Sequence, residues 1–231
     1  MAVKLVVLHS PLVGPATWRW LVPELRARGF EVASADFRAD MAGDPPYYAK
    51  LVRTARALLA PAPDTCTFVV VHSGAGSLVP ALAADLAGAI FVDALMPHPG
   101  HAWFETVPES SLKVRLEKSA RAGHVPPWHR WWPDSAIRAI FADQDSYSEF
   151  VAELNEIPLS YLHEPAPGVE LQSGFRSAYL QLGPGNAAEA ALAQQLGWPV
   201  RRVPLHHLAM ITHPELVAAS ISELVAELSC G

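Results

Sequence analysis

Cysteine is nearly absent: Cys66 and Cys230 are the two in 231 residues. Their positions fit neither a metal site nor a disulfide framework, so both are expected to be free thiols in a reducing compartment. Charge is scarce as well. Asp, Glu, Lys and Arg make up 17% of the chain, the net charge is −6, and no Lys/Arg cluster exceeds an adjacent pair. That is not the electrostatic footprint of a nucleic-acid binder, and nucleic acid is excluded as a partner. No apolar run is long enough to span a bilayer, and the opening MAVKLVVLHSP has an apolar stretch too short for a secretory signal. The expectation is a cytoplasmic protein with no membrane partner. His98 and His101 have no carboxylate or third histidine at ligand spacing, so no metal is expected. Gly74-x-Gly76 could open a dinucleotide fingerprint, but Val79 stands where its third glycine belongs, and no cofactor is expected.

Apolar residues, in contrast, are 51% of the chain, enough for one well-buried domain with a sheet covered on both faces. Short apolar, β-branched runs alternate with stretches at helical spacing. Strands are predicted at 3–9, 31–36, 68–71, 89–94, 177–182 and 199–203. Helices are predicted at 18–28, 47–59, directly after Ser73, at 187–196 and at 214–228. This β-α-β order implies an α/β fold: a doubly wound, mostly parallel sheet with helices on both faces. The alternation breaks after Met96. Residues 97–175 are rich in proline, hold Trp103, Trp128, Trp131 and Trp132, and show short helical patches at 135–141 and 146–156. They read as an inserted helical cap between the core halves 1–96 and 176–231.

The chain is organised around TFVVVHSGAGSLVPAL, residues 67–82. A buried strand stops at His72-Ser73-Gly74-Ala75-Gly76 and a helix follows immediately. Small residues after Ser73 let strand and helix nearly touch, which lifts the serine hydroxyl clear of the sheet. The helix N-terminus then points its unpaired N–H groups at whatever Ser73 attacks. A serine needs a base within hydrogen-bond reach, and His206 and His207, after the last predicted strand, are the candidates. The carboxyl ends of the strands, where sites of such sheets lie, also carry His9, Ser10 and Asp93.

The segment Val71-His72-Ser73-Gly74-Ala75 resembles the nucleophile elbow, G-x-S-x-G, of the α/β-hydrolase superfamily. PLHHLAMITHPEL is similar to the H-x-x-M-x-x-x-P of plant hydroxynitrile lyases and related methyl-ester hydrolases, with His207, Met210 and Pro214 in register. HSPLVGPATW looks like that branch's H-G-x-x-x-G-x-x-W, with Ser10 in place of glycine. The resemblance implies Ser73 as nucleophile, His207 as base, and His72 as structural. It also implies an acid after strand 177–182, where this chain has Gly183-Pro184-Gly185-Asn186. Asp93, one strand earlier, is the substitute, since some members place the acid there; a capping role for Asp93, Asn186 as orienter, and a Ser73–His207 dyad are the alternatives. Gly74 N–H would be one oxyanion donor. The residue that would supply the other is Pro11, which has no N–H, so Leu12 N–H or the Ser10 hydroxyl must replace it. The implied function is cleavage of an ester, lactone or thioester of a small apolar or aromatic molecule lined by Trp128 and Trp131. A lyase, cyclase or isomerase using Ser73 and His207 for proton transfer, or a non-catalytic binding member, is the rival.

Overall fold

The computed structural model describes residues 2–60, 64–107 and 110–229. Cys66 is a free thiol; Cys230 lies outside the described residues. The strands are β1 (Ala2–Leu8), β2 (Glu31–Ser34), β3 (Thr65–His72), β4 (Gly88–Val92), β5 (His124–Val125), β6 (Ile157–Pro158), β7 (Ser177–Gln181) and β8 (Val200–Arg202). Six of them form one parallel sheet in the order β2-β1-β3-β4-β7-β8. Leu5–Leu8, Val69–Val71 and Ala89–Val92 are completely buried, as strands covered on both faces must be.

The sheet grows outward from β1 in both directions. Right-handed crossovers therefore send the helices Leu21–Ala27 and Tyr47–Ala57 to opposite faces. The closing helix Pro214–Ser229 packs beside the first of these and under β4 and β7. With all six strands parallel, their carboxyl ends share one edge of the sheet. The loops after β1, β3, β4, β7 and β8 meet there.

Two predicted helices start differently from the sequence reading. Residues 18–28 are not one helix: a 3-10 turn covers Pro15–Trp18 and the α-helix begins at Leu21. Pro23 explains this, because a helix from Trp18 would need its missing N–H, whereas in a first turn that N–H is not required. Likewise the element after Ser73 opens as a 3-10 turn, Ser73–Leu78, and becomes α-helical only over Val79–Leu82, with Pro80 in its first turn. Strand β2 ends at Ser34, two residues short of the predicted end.

Residues 97–175 carry helices at Trp103–Thr106, Ser110–Ser119, Asp134–Arg138, Gln144–Ala152 and Leu159–His163. This segment is not purely helical. β5 and β6 pair antiparallel, two residues each, too short to leave a period in the sequence. The segment is tied to the sheet half by carboxylates. Glu153 Oε2 accepts the Ala16 N–H at 2.6 Å. The two oxygens of Glu164 accept the N–H groups of Tyr47 and Tyr48, each at 2.8 Å, and so cap the helix Tyr47–Ala57.

Candidate active site

Ser73 occupies the apex between β3 and the 3-10 turn with φ 53°, left-handed and strained for a residue with a Cβ. The strain is held in place by packing. A Cβ on Gly76 would lie 1.9 Å from the Leu95 carbonyl oxygen, so only glycine lets the turn pass this close to the loop after β4. That loop is bound back to the apex, with Leu95 N–H donating to Ser73 O at 3.0 Å. The Ser73 hydroxyl makes no hydrogen bond with any described group, His207 included. Such contacts are commonly long before substrate binds.

Asp93 and His207 are brought together. Asp93 follows β4, also in the left-handed region at φ 45°, and is 1% exposed. Its Oδ2 lies 2.7 Å from His207 Nδ1. Its Oδ1 accepts the N–H groups of Leu182 at 2.9 Å and Gly183 at 3.2 Å. Asn186 Nδ2 donates to Asp93 Oδ2 at 2.8 Å and to Asp93 O at 3.1 Å. Burial raises the Asp93 pKa, but the hydrogen bond and charge of His207, the Leu182 N–H and the Asn186 amide outweigh it. The carboxyl is held below its ordinary value. A carboxylate so held must receive a proton from His207 Nδ1, which leaves Nε2 free to accept one.

His72 lies under this pair. Its ring centroid is 4.5 Å from that of His207, and its Nε2 is 3.0 Å from the His207 carbonyl oxygen. Burial, with the neighbouring His207, pushes its pKa well below the imidazole norm, so it is a neutral donor that holds the His207 backbone. His9 supports the other wall. Its Nε2 accepts the Phe37 N–H at 3.1 Å, so its Nδ1–H donates to Ser10 O at 2.8 Å. Burial lowers its pKa to about 4. Nothing in local sequence reveals either role, because the partners are 28 and 135 positions away.

Ser10 reaches the elbow. A Cβ on Gly74 would sit 3.3 Å from Ser10 Oγ and 3.8 Å from Pro11 Cδ. Ser10 Oγ accepts the Leu12 N–H at 3.3 Å. The Leu12 donor is therefore engaged, and the Ser10 O–H remains to point elsewhere.

A solved extracellular α/β-hydrolase from a Paenibacillus species, described as sharing structural and functional homology with tobacco salicylic acid binding protein 2, superposes with a TM-score of 0.75 over 96% of this chain and 98% of its own, at 17% identity. The chain has the α/β-hydrolase fold. A pyrethroid hydrolase from Sphingobium faniae gives a TM-score of 0.71 over 96% and 97% at 17% identity. Methylesterase MES16 from Arabidopsis gives 0.70 over 97% and 99% at 16% identity. No protein-family model and no curated protein sequence matches the chain.

On this α/β-hydrolase scaffold the two tryptophans expected to line the pocket part company. Trp128 faces the site, its ring 6.2 Å from His207. Trp131 instead packs inside residues 97–175, its ring 5.7 Å from Trp103 and its indole N–H on Pro126 O at 2.6 Å. It sits in the interior of that segment because its one polar handle is already satisfied there. His206 bonds Thr212 through Nε2 at 2.9 Å, away from Asp93. His98 bonds Met96 O, and His101 lies 3.6 Å from Glu105. Among the described residues no helix is long and apolar enough to cross a membrane.

Proposed function

We propose that this chain is a serine hydrolase cleaving an ester, lactone or thioester of a small apolar or aromatic molecule. The observation that carries the reading is the 2.7 Å contact between His207 Nδ1 and Asp93 Oδ2 beside a serine strained at an elbow apex. In this reading His207 Nε2 takes the Ser73 proton as Oγ attacks the carbonyl carbon, and the π pair moves to the carbonyl oxygen. The imidazolium is stabilised by Asp93, then protonates the departing alcohol or thiol. Water, deprotonated by the same nitrogen, releases the acid and restores Ser73. Gly74 N–H and the Ser10 hydroxyl are the two donors for the oxyanion; Leu12 N–H serves them by holding Ser10 Oγ. Trp128 offers an apolar face beside His207 for the substrate. The site calls for no cofactor. Scarce cysteine and the free Cys66 support a cytoplasmic setting.

Pro11 favours a second reading. Because it has no N–H, one backbone oxyanion donor is replaced by a hydroxyl, which suits a lyase, cyclase or isomerase in which Ser73 and His207 move protons without a covalent intermediate. Reaction of the purified protein with a fluorophosphonate, followed by intact mass spectrometry, separates the two. A single adduct, absent from Ser73→Ala, supports the hydrolase; no adduct on folded protein leaves the proton-transfer reading.

A further inference from the structure

The 3-10 turn Pro15–Trp18 has no capping side chain of its own. Its first residue is proline, so the Ala16 N–H is the first donor that the turn presents. That donor goes to Glu153 Oε2, 137 positions away in the inserted segment, at 2.6 Å. The glutamate lies flush against the chain. A Cβ on Gly14 would sit 3.0 Å from both Cβ and Oε2 of Glu153. Glu153 Oε1 is 3.4 Å from a terminal nitrogen of Arg19. The same loop begins at Ser10. Val13 N–H closes a turn onto Ser10 O at 3.0 Å, and Leu12 N–H binds Ser10 Oγ at 3.3 Å. Thr17 binds Gly14 O through its N–H at 3.1 Å and its hydroxyl at 2.8 Å. The loop is thus two successive turns, tied at one end to β1 and at the other to Glu153. Residues 9–14 are all buried, so a shift at Gly14 is passed along the packed chain rather than absorbed by it.

Resting on the hydrolase reading, we propose that Glu153 is a positioning residue for Ser10. It acts through residues 10–16: by holding Ala16 and pressing on Gly14, it fixes the turn that aims the Ser10 hydroxyl at the oxyanion. The donor that Pro11 cannot supply then depends on a carboxylate of the inserted segment. That donor is correctly aimed only while the segment is docked on the loop.

The test is steady-state turnover of p-nitrophenyl acetate, measured well below the thermal midpoint of each variant. Glu153→Ala lowers kcat about 10-fold with KM little changed, because a misaimed donor is missed only in the transition state. Glu153→Gln keeps an oxygen for the Ala16 N–H and recovers most of that loss. Ser10→Ala alone lowers kcat ~100-fold. Adding Glu153→Ala to it costs less than about twofold more, because the group being aimed is already gone. Losses that multiply instead overturn the proposal. So does a Glu153→Ala that melts lower yet keeps the parent kcat, the mark of a fastening and nothing else. Should Glu153→Ala fail to fold, Gly14→Ala reaches the same contact from the other side, since its methyl pushes the carboxylate off Ala16. Parent kcat in Gly14→Ala, or a loss that multiplies with that of Ser10→Ala, then overturns the proposal. Ser73→Ala, run alongside, reports on the hydrolase reading alone: unchanged turnover there fails that reading. Lost turnover there, with multiplying Ser10 and Glu153 effects, fails this proposal and leaves the hydrolase standing.

Discussion

Asp93 and His207 stand 114 positions apart in the chain and 2.7 Å apart at the carboxyl edge of the sheet. Each reaches that edge from a different loop, one after β4 and one after β8. The turn Gly183–Asn186, where a carboxylate is missing, instead supplies the N–H and amide donors that hold Asp93. The absent acid is thus replaced by a set of donors facing an acid from the neighbouring strand.

Ser73→Ala is expected to lower p-nitrophenyl acetate turnover by ~10⁵-fold, close to background, while thermal unfolding stays near that of the parent. Alanine keeps the Cβ at the strained apex, so the backbone strain is unchanged and no packing is lost beyond one oxygen. Turnover kept within tenfold would remove Ser73 from the chemistry.

In the hydrolase reading, Ser10→Ala deletes the hydroxyl proposed to stand in for the donor that Pro11 lacks. The expected loss is ~100-fold in kcat, about 3 kcal/mol, with KM little changed, because the oxyanion forms only in the transition state. Ser10→Thr keeps the hydroxyl and should retain most activity. Steady-state kinetics of both variants check this; an unaffected kcat in Ser10→Ala would sink the assignment.

Much of the sheet can be read directly from composition, since parallel strands buried on both faces are continuous apolar runs such as Phe68–Val71. The elbow is legible because Ser73, Gly74 and Gly76 answer a local steric demand. The choice among Asp93, Asn186 and no acid is not local, and three-dimensional packing makes it. Trp131 and Trp128 are indistinguishable in sequence, and only the carbonyl of Pro126 tells which indole is already satisfied. His9 and His72 act through partners that no spacing rule connects.

Acid should destabilise the protein well above the carboxylate range. Burial, partly offset by the bond to Ser10 O, lowers His9 from 6.5 to about 4, and burial also lowers His72. Between those pH values the unfolded chain binds protons that the folded chain refuses. The stability is therefore complete above pH ~6.5 and is lost as pH falls toward 4. His9 alone contributes ~3 kcal/mol to that slope. Asp93, with its pKa depressed, adds a loss that begins only below pH ~4. Thermal midpoints measured from pH 7.5 to 4 should fall steeply, and less steeply in His9→Asn. A flat profile above pH 5 would contradict the buried neutral state of these rings.

Gly76→Ala places a methyl 1.9 Å from the Leu95 carbonyl oxygen and must displace backbone, at a cost of about 3 kcal/mol or more. At Gly183 the nearest atom to an added Cβ is His207 N at 3.4 Å, ordinary contact, and its backbone is extended. Gly183→Ala should fold within about 1 kcal/mol of the parent. Urea unfolding of the pair reads the contrast; equal stabilities would mean the elbow does not approach the β4 loop as closely as described.

The two oxygens of Glu164 do more than fasten one segment to another. They complete the N-terminal turn of the helix Tyr47–Ala57, so swinging residues 97–175 away as a hinged door would strip that helix of its cap. Opening that segment would therefore loosen the helix as well, and Glu164→Ala should lower stability by about 1–2 kcal/mol, read by urea unfolding.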